Sequence, residues 1–169
     1  PMNGIRLRHL AFTGTTVDVA VLEFDDGLNI VYGASNTGKS FAAEAILFML
    51  GATKRLPDIE QLRPYDSAWL GVTLADEGDF TLYRATGGGH FKLYPGLVKN
   101  APSAAGQALQ DEHNRNRTNT ISHRLLDAIG LAGKWVARDG DGTKVSLSIR
   151  LLSKYAVVSE DDILAKKSP

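Results

Sequence analysis

The stretch Leu28-Asn29-Ile30-Val31-Tyr32-Gly33-Ala34-Ser35-Asn36-Thr37-Gly38-Lys39-Ser40 decides how the rest of the chain is interpreted. Its last part, from Gly33 onward, matches the phosphate-binding pattern G-x-x-x-x-G-K-[ST]. Residues 28–32 predict an apolar strand, and residues 40–50 predict a helix. Because strand, glycine-rich loop and helix in this order form the usual setting of a nucleotide phosphate site, the match predicts such a site here. The alternative is a glycine turn that holds no ligand.

Each residue type in the loop has a role in that chemistry. Gly33 and Gly38 let the backbone approach a phosphate closely, and the backbone N–H groups at a helix N-terminus attract an anion. We expect Lys39 to stabilise the terminal phosphates of ATP as the catalytic residue, and the Ser40 hydroxyl to bind Mg²⁺. The predicted nucleotide-binding residues are Gly33, Ala34, Ser35, Asn36, Thr37, Gly38, Lys39, Ser40 and Phe41.

The composition excludes several classes of protein. A chain of 169 residues suits one domain or one lobe of a larger domain. Its formal net charge is zero, so the chain as a whole is not a general polyanion binder. It has no cysteine, which excludes a disulfide framework and a thiolate metal site. No run of eighteen apolar residues is present, so we expect no membrane span, and the nucleotide loop favours the cytoplasm.

Hydrophobic patterning predicts mostly antiparallel strands around the loop. Residues 5–12 alternate apolar and basic side chains, and residues 17–24 predict a second strand antiparallel to the first. Together with the loop and its helix they form the segment 5–51. A meander of three strands is predicted over 69–94, at 69–75, 80–84 and 90–94.

The second half of the chain is less regular. Residues 95–118 predict a loop excursion with a short helix near 104–112. In the last segment, 119–169, a helix is predicted at 122–129 with Gly130 as its cap. Closing strands are predicted at 145–149 and 155–158.

The order of these parts resembles the N-terminal lobe of the ABC-type ATPase heads of SMC-like (RecN-type) proteins. The matching residues are Ile5-Arg6-Leu7-Arg8-His9-Leu10-Ala11-Phe12, Gly27-Leu28-Asn29-Ile30-Val31-Tyr32-Gly33, and Gly38-Lys39-Ser40 followed by Glu44-Ala45-Ile46. The resemblance covers residues 5–51 and is one of element order alone over 69–165. It implies an α/β fold of the P-loop NTPase type, with an antiparallel β subdomain beside the P-loop strand and helix.

The resemblance also implies an activity and partners. Residues 1–169 would be a single N-terminal lobe that leads to a coiled coil. ATP and Mg²⁺ would be its cofactors, and hydrolysis would need a C-terminal lobe and a second head, most simply in a homodimer. The implied setting is DNA repair, chromosome maintenance or anti-phage defence, with DNA as a partner and no membrane. The chain alone is expected to be inactive.

The sequence departs from that family at three points. The family's Q-loop glutamine is expected near 159–161, where this chain has Ser159, Glu160 and Asp161. Glu160 or Asp161 could hold a metal-bound water in its place. Phe41 replaces the usual threonine after the loop serine, and Ser35 replaces the usual asparagine.

Other patterns leave alternatives open. Residues 70–77 form an apolar run that ends in Asp76-Glu77, which is typical either of a second nucleotide motif with a metal ligand and a base or of a hairpin turn. A basic cluster could contact nucleic-acid phosphates or could be a solvated polar loop; it comprises His113, Arg115, Arg117, His123 and Arg124. We interpret Tyr65, Trp69 and Trp135 as core or interface residues and not as stacking platforms.

Two further functions remain open at this point. A self-contained P-loop enzyme, such as a small kinase or NTPase, would hydrolyse or transfer phosphate with this chain alone. A nucleotide-gated binding module would bind ATP without hydrolysing it and would change its affinity for a partner. Turnover by the isolated chain distinguishes the first of these from the other functions.

Overall fold

The computed structural model describes residues 4–32, 38–138 and 140–158. The strands and helices are, in chain order, β1 (Ile5–Thr13), β2 (Ala20–Glu23), α1 (Lys39–Met49), β3 (Ser67–Leu74), β4 (Gly78–Ala85), β5 (Phe91–Pro95), β6 (Gln107–Leu109), α2 (Ile121–Ala128), β7 (Trp135–Ala137), β8 (Lys144–Ser146) and α3 (Ile149–Ala156). A short 3₁₀ turn covers Glu60–Leu62. Strands β1 to β6 form one antiparallel sheet in the order β2-β1-β3-β4-β5-β6, and β7 and β8 form a separate hairpin.

Short turns explain why neighbouring strands pair antiparallel. β3 and β4 pair in full register from Ser67 with Ala85 to Leu74 with Gly78, and only three residues join the two strands. Gly78 has a φ of 84°, a left-handed conformation that favours glycine. The turn and its glycine therefore set the antiparallel register of this pair from local sequence.

One face of the sheet carries the main core. Helix α1 packs on this face through Ala45, Phe48 and Met49, which are fully buried. Helix α2 adds Ile121, Leu125 and Leu126 to the same core. The strands contribute Leu10, Phe12, Leu70, Val72, Leu82, Phe91 and Leu93 among others. Burial of these apolar side chains is the main source of stability.

The opposite face has a smaller cluster around Trp69. Its ring lies 4.8 Å from the Tyr83 ring and 6.0 Å from the Tyr94 ring, and its Nε1 donates a hydrogen bond of 2.9 Å to Thr13 Oγ1. His9 is also buried on the sheet, where its Nε2 donates to the Val98 carbonyl oxygen at 2.9 Å. Both faces of the central strands are therefore covered.

Gly71 makes room for the His9 ring. The two residues pair across β1 and β3, next to an irregularity in the β1 register. A Cβ atom at position 71 would lie 2.3 Å from His9 Cε1. Only glycine therefore leaves room for the imidazole to lie flat on the sheet in this position.

Most of the local predictions for the first half are confirmed. β1 covers the predicted strand at 5–12, and β2 pairs antiparallel to it as predicted, although it is shorter than 17–24. The three strands of the meander correspond to β3, β4 and β5. Helices α1 and α2 occupy the predicted positions, with Gly51 and Gly130 in the left-handed conformation after them.

The predicted α/β fold of the P-loop NTPase, ABC/SMC-head type is wrong. Among the described residues, the main sheet is wholly antiparallel, and three helices of eleven residues or fewer accompany it. A P-loop fold needs parallel strands joined by helical crossovers. Here the sheet strands are joined by hairpins and loops, except that α1 lies between β2 and β3. The predicted P-loop strand at 28–32 belongs to no strand of the sheet.

Three smaller predictions also fail. The predicted helix near 104–112 is instead the edge strand β6, which pairs with β5. The predicted strand at 145–149 ends earlier, because Ser148 caps α3 by accepting a hydrogen bond from the Leu151 N–H. The predicted strand at 155–158 begins inside α3. In each case a tertiary contact or a cap overrides the local pattern.

Candidate functional site

Helix α1 begins at the lysine of the sequence motif. Gly38, the residue before it, has a φ of 84°, and its carbonyl oxygen accepts the Ala42 N–H at 2.9 Å. The first turn of α1 contains no acidic residue. Because the N–H groups of a first helical turn carry partial positive charge, this end of α1 is suited to an anion.

The described part of the motif is accessible. Gly38 and Ser40 are exposed, and Lys39 is half-buried. The other predicted loop residues lie outside the described residues; they are Gly33, Ala34, Ser35, Asn36 and Thr37. Glu160 and Asp161, the predicted replacements for the Q-loop glutamine, also lie outside them.

Phe41 has a packing role. Its ring lies 5.6 Å from the ring of Phe12 on β1, and the side chain is half-buried against the core. The Phe41 side chain therefore packs the first turn of α1 against the sheet. A contact between Phe41 and a nucleotide, as predicted, would have to come from its backbone.

The segment 28–32 exposes apolar side chains. The exposed fractions are 86% for Leu28, 72% for Ile30, 49% for Val31 and 90% for Tyr32. The segment begins at a turn that Asn29 fixes, since its amide group hydrogen-bonds with the Asp25 backbone N–H and carbonyl oxygen at 2.9 Å. Four exposed apolar side chains among five consecutive residues are unusual on a protein surface and are typical of a contact region.

Asp76 and Glu77 lie in a hairpin turn. Leu74 pairs with Gly78 directly across the turn that contains them. Both carboxylate oxygens of Glu77 accept hydrogen bonds from the Arg124 guanidinium of α2, at 2.9 and 2.5 Å. The structure therefore favours the hairpin interpretation of residues 70–77 over the second nucleotide motif.

The buried Arg84 is a residue with many polar contacts that the sequence patterns do not single out. Its side chain is 1% exposed, and its guanidinium donates to the carbonyl oxygens of Gly89, Phe48 and Thr53 at 3.0, 2.9 and 3.0 Å. The guanidinium also lies over the rings of Phe48 and Phe91. The position could have been recognised from strand parity, since Phe80, Leu82 and Arg84 alternate along β4 toward one face.

A cavity of about 260 Å³ borders Arg84. Asp111, 3.9 Å from Arg84, and the exposed pair Lys54–Glu112 at 2.7 Å also line it. A second arginine, Arg150, lines the cavity and donates from Nε to the Ala52 carbonyl oxygen at 3.1 Å. Burial lowers the pKa of Arg84, and the Asp111 carboxylate opposes that shift. A guanidinium remains charged under such a shift, so Arg84 holds the end of α1 to β4 as a permanent cation.

The predicted basic cluster divides into two groups. His113, Arg115 and His123 line one cavity of about 360 Å³ together with Trp135 of β7. Arg124 instead binds Glu77, and Arg117 is exposed outside that cavity lining. Burial lowers the pKa of His113, and the nearby His123 adds to the shift.

The aromatic predictions also divide. Trp69 is a core residue and Tyr65 packs against the core, as predicted, whereas Trp135 is 52% exposed. Three further basic side chains, on β1 and β5, have partners within the protein. Arg8 binds Asp26 at 2.8 Å, Arg6 lies 3.6 Å from the same carboxylate, and Lys92 lies over the Tyr83 ring.

Comparisons with known proteins give no family. A scan against models of protein families finds no match to this chain, and a search of curated proteins finds no significant match. In the described part of the chain, no group of three or more His, Asp or Glu side chains could hold a metal ion. Across the same residues, no helix combines the length and the apolar character needed to cross a membrane.

Proposed function

We propose that the chain binds MgATP through residues 33–40 and is the ATP-binding part of an SMC-like ATPase. The observation that carries the proposal is the start of α1. The helix begins at Lys39, directly after a left-handed glycine, with no carboxylate in its first turn. Together with the complete sequence motif, this arrangement suits a phosphate group.

The described residues have distinct roles in this proposal. The backbone N–H groups of the first turn of α1 orient the phosphates, the Lys39 amine neutralises their charge, and the exposed Ser40 hydroxyl is a ligand for Mg²⁺. A single hydroxyl holds Mg²⁺ weakly, so the remaining ligands would be phosphate oxygens, water and groups from other protein segments. Bound MgATP would supply the phosphoanhydride bond between its β- and γ-phosphates, whose hydrolysis by water would reset the assembly.

The partners follow from the same proposal. The chain would require a C-terminal lobe to hydrolyse ATP, and a second head would dock when ATP is bound and separate after hydrolysis. The exposed apolar side chains of segment 28–32 support contact with a further protein surface. DNA is the proposed substrate of that cycle. Because the cycle depends on MgATP, the proposed location is the cytoplasm.

Nucleotide titration tests the phosphate site. We expect the 169-residue chain to bind a fluorescent ATP analogue with Mg²⁺, and Lys39→Ala to weaken binding by roughly tenfold or more, because a charged hydrogen bond contributes about 1.5–3 kcal/mol. The matched control is Lys154→Ala, which removes an exposed lysine from α3. Equal binding by wild type and Lys39→Ala would contradict the proposal.

Turnover separates the proposed function from its alternatives. Binding without hydrolysis by this chain, followed by hydrolysis once a C-terminal lobe is supplied, agrees with a divided ATPase. Hydrolysis by the chain alone would show a stand-alone NTPase or kinase. Binding that never leads to hydrolysis, but changes the affinity for a partner, would show a nucleotide-gated module.

A further inference from the structure

The cavity beside Trp135, here called the Trp135 pocket, combines an exposed aromatic ring with polar side chains. Trp135 lies on β7, and the Arg115 guanidinium is 5.9 Å from the centre of its ring. Asn114, Asn116 and the two histidines His113 and His123 line the same cavity. A volume of about 360 Å³ lined in this way is large enough for one or two planar rings.

Contacts between separate segments hold the pocket together. His113 hydrogen-bonds the Ser146 hydroxyl at 3.0 Å, and Ser146 pairs with Trp135 across the β7–β8 hairpin. The buried side chains of Leu126 and Leu147 form the floor. The exposure of Trp135 is therefore a property of a fixed hairpin and not of a loose loop.

The surface around the pocket is strongly basic although the chain has no net charge. Segments 113–117, 133–138 and 144–148 contain no acidic residue. They contribute the exposed cations Arg115, Arg117, Lys134, Arg138 and Lys144. Lys144 pairs with Ala137, two residues from Trp135, so Lys144 and Trp135 share one face of the hairpin.

Four acids of the described residues lie near the pocket in the chain. Asp127 is exposed on α2, directly after the pocket-lining Leu126, and is the nearest of them in sequence to a lining residue of that helix. Asp111 is bound to His90, and Glu112 to Lys54, on the side of the Arg84 cavity. Asp141 lies in the turn of the β7–β8 hairpin, beyond Lys144. Among the described residues, neither Arg115 nor Lys144 forms an ion pair with an acid.

We propose that the Trp135 pocket binds single-stranded nucleic acid, with a base stacked on the Trp135 ring and the backbone phosphates held by Arg115 and Lys144. An exposed aromatic ring within a basic surface is the combination that single-strand-binding proteins use. Bases in a duplex already stack on one another, so the ring selects an unpaired base. The pocket is formed by segments other than the phosphate loop and does not depend on the nucleotide site.

The tryptophan content allows a direct test. The chain has two tryptophans, of which Trp69 is 2% exposed and Trp135 is 52% exposed. Titration of the 169-residue chain with a fifteen-nucleotide oligo(dT) should quench the emission of Trp135 and leave that of Trp69. Trp135→Ala should remove the quenching and weaken binding roughly five- to hundredfold, and Trp135→Phe should weaken it less.

Charge variants test the phosphate contacts. The double variant Arg115→Ala/Lys144→Ala should weaken binding and reduce the slope of log K against log salt by about 1.4, at about 0.7 per phosphate contact. Arg55→Ala/Arg63→Ala removes the same charge from two exposed positions elsewhere and should leave the slope unchanged. Near-ultraviolet circular dichroism of Trp69 verifies that each variant is folded.

Several results would overturn the proposal. Unchanged affinity in both Trp135→Ala and Arg115→Ala/Lys144→Ala would show that the strand binds elsewhere. Binding of thymidine monophosphate or ATP as tightly as the oligonucleotide would show a pocket for a free nucleotide. Tighter binding of duplex DNA without quenching would show an electrostatic surface for the double helix. Loss of binding in Lys39→Ala, with Trp135→Ala unaffected, would assign the contact to the phosphate loop.

Discussion

The β3–β5 meander and the segment 28–32 are both apolar, but they differ in burial. Leu70 and Val72 of β3 are at most 1% exposed, whereas Leu28 and Ile30 are 86% and 72% exposed. The meander has a strand on each side of β3 and β4, and a helix on its face. The segment 28–32 belongs to no strand among the described residues. Apolar side chains therefore stabilise the fold only where other elements of the chain bury them.

The largest expected effect is at Arg84, inside the meander. Arg84→Ala would leave the carbonyl oxygens of Thr53 and Gly89 without the guanidinium donor. The Phe48 carbonyl oxygen would keep only the Gly51 N–H, and Asp111 would keep only His90 as a partner. Removal of one member of a buried charged network costs about 3–5 kcal/mol. We expect the free energy of unfolding in urea to fall by about that amount.

A matched variant serves as the control for the free energy of unfolding of Arg84→Ala. Arg63→Ala removes an exposed arginine and should change the free energy of unfolding by less than about 0.5 kcal/mol. If Arg84→Ala lost less than about 1 kcal/mol, the carbonyl oxygens of Thr53 and Gly89 must find other donors, and the guanidinium would not hold α1 to β4.

Leucine truncation compares the two regions directly. Leu70→Ala should lower the free energy of unfolding by about 2–5 kcal/mol, because it leaves a cavity in the main core. Leu28→Ala removes the same atoms from an exposed position and should change it by less than about 0.5 kcal/mol. Urea titration of both variants measures the difference. Similar losses in the two would mean that segment 28–32 is buried in solution, against a second copy or another part of the chain.

The same difference explains which parts of the fold could be predicted. The hairpin of β3 and β4 depends on a three-residue turn and an alternating pattern, which are local signals. Helix α1 follows from its apolar spacing and from Gly51 after it. By contrast, whether residues 28–32 form a strand depends on a distant partner, which the local pattern does not specify. The wrong α/β prediction came from the resemblance to the ATPase heads, in which the predicted strand at 28–32 leads into the P-loop.

The candidate sites show a similar division. The motif at 33–40 is recognisable from letters alone, because its chemistry depends on residues that are adjacent in the chain. The Trp135 pocket joins residues near 114, 123, 135 and 146, which the sequence shows only as a basic cluster and an isolated tryptophan. The spacing of such residues carries no signal, since the hairpin that brings them together is short and weakly patterned.

The smallest expected effect is a dependence of stability on pH from His9, which packs under Gly71 in the meander sheet. Burial is the main cause that lowers the pKa of His9, while its hydrogen bond to the Val98 carbonyl oxygen opposes the shift. The folded state therefore binds a proton less readily than the unfolded state, whose histidine pKa is about 6.5. The free energy of unfolding should be greatest above that pH and should fall as the pH decreases below it.

Burial lowers the pKa of His113 as well as that of His9. Two variants separate the contributions of the two histidines to the pH dependence of stability. His9→Gln retains a donor for the Val98 carbonyl oxygen but cannot take up a proton, so the fall in stability between pH 7 and 5 should become shallower. His113→Gln should remove the contribution that His113, in the Trp135 pocket, makes to the same fall in stability. Urea titrations at a series of pH values measure both slopes. A His9→Gln slope equal to that of the wild type would mean that the imidazole reaches water in the folded state, and that the sheet face around Gly71 is as open as segment 28–32.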